Sequence, residues 1–361
     1  MMAYLTEFKA YTRLDDCPIL MPKVYYAYGN LDSCFLLLED LRDKGSLIDQ
    51  VVGGTAADAR AMIRDVGKLE GAYIGHPVLQ EKWLSPGGTD QYVFVAEPLL
   101  AAYSAYERPF LEVLQETWLQ SPLQKLAIDP DKYPKAAGVF NRCSADGTLF
   151  EKAMAHLHSR PIRTLVHGDA RGDNCFRTDA GLVWIDWQLS CEDAGPAILE
   201  PALPDPIRGA QSYIVPLHPP MSLSFCADGG TPAVELGQQN FMSFDPEVGA
   251  LQETTMWEDY FSAMADAAGN RVPNLADIYT IEDSRLDYKI GAILYGLATM
   301  HVFRGIVQDN LDNHVEMPVR MLQFFDKTVH RLAEQLERND CLAVIELLAA
   351  KRERAEIHAS F

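Results

Sequence analysis

Three oxygen-bearing side chains within one short stretch could do chemistry together: Asp169, Asn174 and Asp186, in TLVHGDARGDNCFRTDAGLVWIDWQ over residues 164–188. Asn174 follows Asp169 by five residues, and twelve more lead to Asp186. Phosphoryl transfer asks little covalent work of a protein. It needs magnesium to neutralise the phosphates and a carboxylate to orient the attacking hydroxyl. Magnesium takes oxygen ligands, usually one or two carboxylates with phosphates and water. Asp186 can supply a carboxylate oxygen and Asn174 an amide oxygen, which leaves Asp169 to accept the hydroxyl proton. Arg171 could reach a transferring phosphate, and His167 is read as holding the loop by a hydrogen bond rather than acting as a base. Asp, Asn and Gly are common in turns, so the signal is the joint pattern: HGDxxxxN, an apolar strand, then IDW. The same side chains could hold a metal for hydrolysis without a nucleotide. A phosphotransferase, a non-catalytic binding or scaffold protein and a metal-dependent hydrolase therefore all stay open at this point.

Such a set needs two short strands to deliver it. Thr164–His167 and Leu182–Ile185 have the composition for them, with Gly168 allowing a close turn between. Trp184 and Trp187 read as packing residues. Ahead of the loop, residues 4–14 read as a short helix, and 24–29 with 34–39 as a β-hairpin closed by Asn30, Leu31 and Asp32. Thr55 opens a helix through an approximate capping box with Asp58, and Met62, Ile63, Val66, Leu69 and Tyr73 recur at helical spacing. Pro98 to Leu119 reads as a second long helix broken or kinked at Pro109, and 150–159 as a third. Nine of the 21 prolines fall between Pro196 and Pro246 without a clear period, which predicts a long irregular insertion over about 196–253. Helical pattern resumes near Met256 and continues over Arg285–Ile306, Val319–Glu337 and Cys341–Glu356. The expected architecture is α+β: a small β-containing N-terminal piece over 1–42 on a mostly helical body over 43–361.

The 361 residues are 48% hydrophobic, enough for a sizeable core, and carry a net charge of −20. Nucleic acids and anionic membranes need a basic footprint, so neither is an expected partner; the surface favours solubility and tilts towards a cationic substrate. Seven cysteines at irregular spacing, without a CxxC, argue against a disulfide framework or zinc site and for a reducing compartment. The N-terminus is too polar for a signal peptide, and the apolar run Ile290–Phe303 is too short to span a bilayer. A cytoplasmic protein is expected.

The 164–188 segment resembles the catalytic core of the aminoglycoside phosphotransferase and choline kinase superfamily. These are relatives of protein kinases, whose loop reads HRDxxxxN followed by DFG. It is most similar to the ecdysteroid-kinase-like and related branches. The resemblance implies a protein-kinase-like fold, ATP as co-substrate, Mg2+, and a small-molecule alcohol as acceptor. It makes Asp169 the base and Asn174 and Asp186 the magnesium ligands, and puts Arg171 where protein kinases carry a catalytic-loop lysine. CFLLLEDL over 34–41 resembles the strand leading into the hinge between lobes, which places Leu38, Glu39, Asp40 and Leu41 near adenine. TEFKAYTRL over 6–14 resembles the first N-lobe helix, with Glu7 as the glutamate that pairs with the ATP-binding lysine. DYKIGAILYGLA over 287–298 also fits the helical lobe. The similarity covers most of the chain except about 196–253.

The departures from that pattern are specific. Only six residues precede Glu7, so no glycine-rich loop or lysine-bearing strand fits ahead of it; Lys9 shares its helix, and Gly53 and Gly54 follow the hinge. No Walker A pattern occurs. The resemblance thus implies a truncated N-lobe, a pseudokinase, or closure over ATP by another segment. Positioning and electrostatics dominate phosphoryl transfer, so the expected turnover is weak, below the about 1–100 s⁻¹ of kinases. After Gln188 the family's turn and Asp-Leu-Ala stretch, which anchors the catalytic loop, is replaced by Gly195–Pro196–Ala197 and Ile198, Leu199 and Glu200.

Overall fold

A computed structural model describes residues 2–14, 16–29, 34–81, 85–86, 128–146, 148–187, 191–192, 231–312 and 319–359. The helix expected over 98–119, the residues closing the first hairpin and the segment 193–230 lie outside them.

The chain opens with helix α1 (Met2–Arg13), followed by strands β1 (Val24–Gly29) and β2 (Cys34–Leu38). The strands pair antiparallel, Gly29 opposite Cys34 and Tyr28 opposite Phe35. α1 lies on this hairpin: a Cβ at Gly29 would stand 2.9 Å from the Phe8 ring, so glycine permits the approach. Strand β3 (Gly45–Leu47) pairs antiparallel with β4 (Cys175–Thr178), which pairs antiparallel with β5 (Gly181–Trp184).

The first strand of the functional hairpin is therefore β4, after the loop, and not Thr164–His167 before it. Residues 162–167 form no strand, and only Val166 makes a β-bridge. The Thr164 hydroxyl donates to the Glu70 carbonyl, so neighbouring helix holds this stretch where a partner strand would otherwise do so. A short apolar run has the same signature in both settings.

Helix α2 (Ala56–Tyr73) starts at the expected box: Asp58 N donates to Thr55 Oγ1 at 3.2 Å, and Thr55 N to Asp58 Oδ2 at 2.7 Å. Asp58 also pairs with Arg177 of β4 at 2.6 Å, which ties α2 to the sheet. Helices α3 (Pro134–Ala145) and α4 (Thr148–His158) precede the loop. Beyond it come α5 (Val234–Ser243), α6 (Pro246–Thr255), α7 (Trp257–Ala268), a short α8 (Leu275–Ile278), α9 (Ile281–Asp312), α10 (Val319–Arg338) and α11 (Cys341–Ala359).

The irregular insertion expected to run to 253 thus gives way to helix by 234. Every residue of α5 is buried. A helix surrounded on all sides shows no amphipathic stripe, and its polar residues disguise it further. Among the described residues no helix is long and apolar enough to cross a membrane.

Among the described residues two apolar clusters form the interior. One joins α3, α4, α9, α10 and α11 around Phe140, Leu157, Ile293, Leu332 and Ile345. The other holds Ala10 and Tyr11 of α1 and Leu14 just after it, together with Met62, Trp184 and Tyr260, so the N-terminal helix shares its core with the sheet and α2. α5 runs against α9 almost backbone to backbone. A Cβ at Gly237 would come 2.3 Å from the Ala292 nitrogen, and one at Gly291 2.0 Å from the Val234 carbonyl oxygen.

Gly291→Ala should force these helices apart and lower stability by about 1–3 kcal/mol, as overpacking does. Equilibrium denaturant unfolding measures this. An alanine variant as stable as the parent would mean that the two backbones do not meet there.

Candidate functional site

The loop between residue 167 and β4 is built on a turn that only a few residues can make. Gly168 has φ +83°, and its N–H donates to Glu235 Oε2 at 2.8 Å. Glu235 projects from the buried helix α5, so a carboxylate fixes the turn from behind. The Tyr295 hydroxyl donates to the Gly168 carbonyl from α9 at 3.4 Å, and the Ser243 hydroxyl accepts from Gly172 N at 2.8 Å.

His167 is fully buried, and its bonds define its tautomer. Asp169 N–H donates to Nδ1 at 3.3 Å, and Nε2 stands 3.0 Å from the Ile185 carbonyl, which can only accept. The ring is therefore neutral with its proton on Nε2. Burial pushes its pKa down to about 4. Packed against Trp184 and Trp187 at 5.4 and 4.6 Å between centroids, it holds the loop.

Asp169 is buried and gripped on both oxygens. Gln238 Nε2 donates to Oδ1 at 2.9 Å, and Asn174 Nδ2 donates to Oδ2 at 3.1 Å and to the Asp169 carbonyl at 2.9 Å. Arg171 Nε forms an ion pair with Oδ1 at 2.9 Å, without hydrogen-bond alignment, and stands 3.6 Å from Asp173 Oδ1. With its nitrogen committed to Asp169, Asn174 has its amide oxygen left for a cation. Each carboxylate oxygen has two lone pairs, so Oδ2 of Asp169 keeps acceptor capacity.

Asp186 arrives on the other strand. Ile185 N donates to the Asn174 carbonyl at 3.0 Å, directly beyond the Cys175–Trp184 pair of β4 and β5. Asp186 itself has φ +64°, in the left-handed region, a conformation that non-glycine residues hold at a cost and that recurs at functional sites. Burial and then the Asp169 charge raise its pKa to about 6. Glu7 joins from α1: burial and then Asp186 push its pKa up to about 7. The Tyr11 hydroxyl, one turn on, is buried without a hydrogen-bond partner, and its pKa too is raised by burial and by Glu7.

The fold thus brings Glu7, His167, Asp169, Arg171, Asn174 and Asp186 together. The residues expected to contact adenine bond locally. Glu39 pairs with Lys44 and accepts from Lys23 N, Asp40 pairs with Arg42 at 2.6 Å, and Leu41 is buried while Leu38 ends β2. None of these bonds reaches the loop.

Glu235 and Gln238 went unread in the sequence because they lie in the stretch that looked irregular. Their signal is a three-residue spacing that puts both on one helix face, within a run where Gln239 and Asn240 are also buried. Behind Glu235 lies Glu70, fully buried, accepting from Tyr260 and Ala233 N; burial and Glu235 raise its pKa well above the carboxylate range.

Among the described residues no three His, Cys, Asp or Glu side chains stand close enough to hold a metal by themselves. Asp186 with the Asn174 amide oxygen is a smaller, all-oxygen donor set. It fits magnesium, which takes few protein ligands and fills its shell with phosphate and water.

The raised pKa values of Glu7 and Asp186 make a stability statement. Both take up a proton at higher pH when folded than when unfolded. Their burial, and then their mutual repulsion, therefore opposes folding fully above about pH 7, and both are relieved as pH falls towards about 4. Glu7→Gln should raise the melting temperature at about pH 8 and leave it little changed at about pH 4. Thermal unfolding across pH reads this, and a gain of equal size at both ends would mean that the buried Glu7 charge does not oppose folding. No protein-family model matches this chain, and no curated protein matches it.

Proposed function

We propose that the chain is a phosphotransferase that moves the γ-phosphate of ATP to a hydroxyl of a small molecule. The observation that carries this reading is the Asp169–Asn174 pair beside Asp186. One carboxylate has its orientation fixed and an acceptor site left, next to an amide oxygen and a second carboxylate suited to magnesium. The HGDxxxxN…IDW resemblance to the aminoglycoside phosphotransferase and choline kinase superfamily points the same way. So does the arrival of Glu7 beside Asp186. In a protein-kinase-like fold, Glu235 would do for the loop what the Asp-Leu-Ala stretch does in that family, displaced beyond residues 193–230.

In this reading the acceptor hydroxyl bonds to Asp169 Oδ2. Its oxygen lone pair forms the new bond to the γ-phosphorus, and the bond from that phosphorus to the β-bridging oxygen breaks with its electron pair leaving on ADP. The hydroxyl proton passes to Asp169. Gln238 and Asn174 keep that carboxylate from rotating, and Arg171 offers a cation to the transferring group. Magnesium, held by Asp186 and the Asn174 amide oxygen, would neutralise phosphate charge. His167 takes no proton, because both ring nitrogens are engaged.

A second reading rests on Glu7. Among the described residues it forms no ion pair with lysine or arginine and faces another carboxylate, which favours a protein that binds nucleotide without transferring phosphate.

Magnesium and ATP together should raise the melting temperature of the parent, and Asp186→Asn should abolish that shift. Asp169→Asn should keep the shift yet reduce phosphate transfer by about a hundred- to ten-thousand-fold, the usual contribution of a general base. Transfer that survives in Asp169→Asn would remove Asp169 from its role. An ATP shift with no transfer in the parent would leave the second reading standing.

A further inference from the structure

The hairpin of β1 and β2 is apolar on both faces. Val24, Leu36 and Leu38 turn inward and pack on the cluster that holds Ala10 and Tyr11 of α1. Tyr26 and Tyr28 of β1 stand opposite Leu37 and Phe35 of β2 and point the other way. These four side chains, with Tyr25 at the bulge beside them, are between 50% and 58% exposed. Tyr26 and Phe35 pair diagonally across the strands, 6.0 Å between ring centroids, so the outer face is one continuous patch. Among the described residues every exposed large aromatic side chain lies on this hairpin; the other large apolar side chains in the open are leucine, isoleucine, valine or methionine.

An antiparallel hairpin with one face in water alternates apolar with polar residues. VYYAYG and CFLLL do not. Neither strand carries a charge or a proline, the usual guards of a free strand. Such a sequence suits strands covered on both sides. Charge decides what covers them. The chain carries −20 overall, so two copies repel across most of their surface. The described charges flanking the strands are neutralised within the chain: Asp40 pairs with Arg42 at 2.6 Å, Glu39 pairs with Lys44, and Lys23 lies over the Tyr25 ring, 5.1 Å from its centroid. An uncharged patch with such a rim offers a basic partner no anion, and it is a place where two acidic chains can approach. Its size is sufficient. Half of an aromatic side chain is about 100 Å². The patch therefore offers on the order of 500 Å² per chain, and a pair would bury about 1,000 Å², where specific interfaces begin.

We propose that this face binds the same face of a second copy, across a two-fold axis that packs Tyr26, Tyr28, Phe35 and Leu37 of one chain on those of the other. A two-fold contact uses one patch twice, so a self-complementary apolar face is all it requires. The pairing is independent of the phosphotransferase reading.

Analytical ultracentrifugation of the full chain tests this. The mass should rise from one chain towards two between about 1 and 100 μM, in keeping with an interface near the lower size limit. Raising sodium chloride from about 0.05 to about 0.5 M should tighten the pair, because it screens two negative chains. Phe35→Lys and Tyr26→Lys should each weaken the pair about tenfold or more, since each brings a charge from both chains into an apolar contact. Both positions are exposed, so circular dichroism and melting temperature should match the parent. Val52→Lys, at an exposed apolar position outside the hairpin, should associate as the parent does. A chain that stays monomeric over that range at both salt concentrations overturns the proposal and leaves the face to a different partner. A dimer that withstands both hairpin substitutions overturns it too, as does association that salt loosens, which would assign the contact to charged surfaces.

Discussion

The Gly168 N–H bonded to the buried carboxylate of Glu235 is the interaction on which the site depends. A left-handed turn at residue 168 reverses the chain between an extended segment held by α2 and the hairpin of β4 and β5. Without a fixed acceptor behind it, that turn would leave a buried N–H unpaired, which is costly. With it, Asp169 emerges at one defined place. Glu235 can serve only because α5 is itself immobilised: Gly237 and Gly291 let α5 and α9 approach until their backbones touch. The chain of dependence runs from two glycines in helices, through a carboxylate, to a loop of eight residues.

Charge sets the second constraint. Glu7, Asp169, Asp173 and Asp186 gather around Arg171, the one cation with ion pairs to this set among the described residues. Burial first, and then the neighbouring carboxylates, raise the pKa values of Glu7 and Asp186. Such an arrangement is unfavourable for folding and favourable for binding a cation, because the same repulsion that destabilises the empty site is released when positive charge enters.

The sequence made the loop legible because its chemistry is local. Asp169, Asn174 and Asp186 lie within one hairpin unit, and spacing alone brings them near each other. The capping box at Thr55 and the hairpin of β1 and β2 were legible for the same reason. What stayed hidden was supplied from a distance. Glu235 and Gln238 approach the loop from more than sixty residues away, on a helix whose burial removes the periodicity that would announce it. Thr164–His167 looked like a strand because a buried extended segment and a strand carry the same apolar run, and only the partner distinguishes them. The left-handed backbone at Asp186 was also invisible, since aspartate carries no obligation to adopt it.

The segment after β3 and the loop are mechanically one unit. β3 pairs with β4, so that segment is attached through Leu47 and Phe176 to the strand that begins at the loop. Arg331, almost wholly buried in α10, then clamps the next residues: it donates to the Gln50 carbonyl at 2.5 Å and pairs with Asp245 at 2.9 Å, with Gly53 leaving room for its guanidinium. Asp245 in turn begins α6, one residue after the buried Phe244 that follows α5. The helix that anchors Asp169 from behind and α10 are thus joined through Arg331, and directly by Gln335 of α10, whose Nε2 donates to the Gly237 carbonyl of α5 at 3.0 Å. A shift of the segment after β3 would therefore reach the loop through rigid elements and not through a flexible surface.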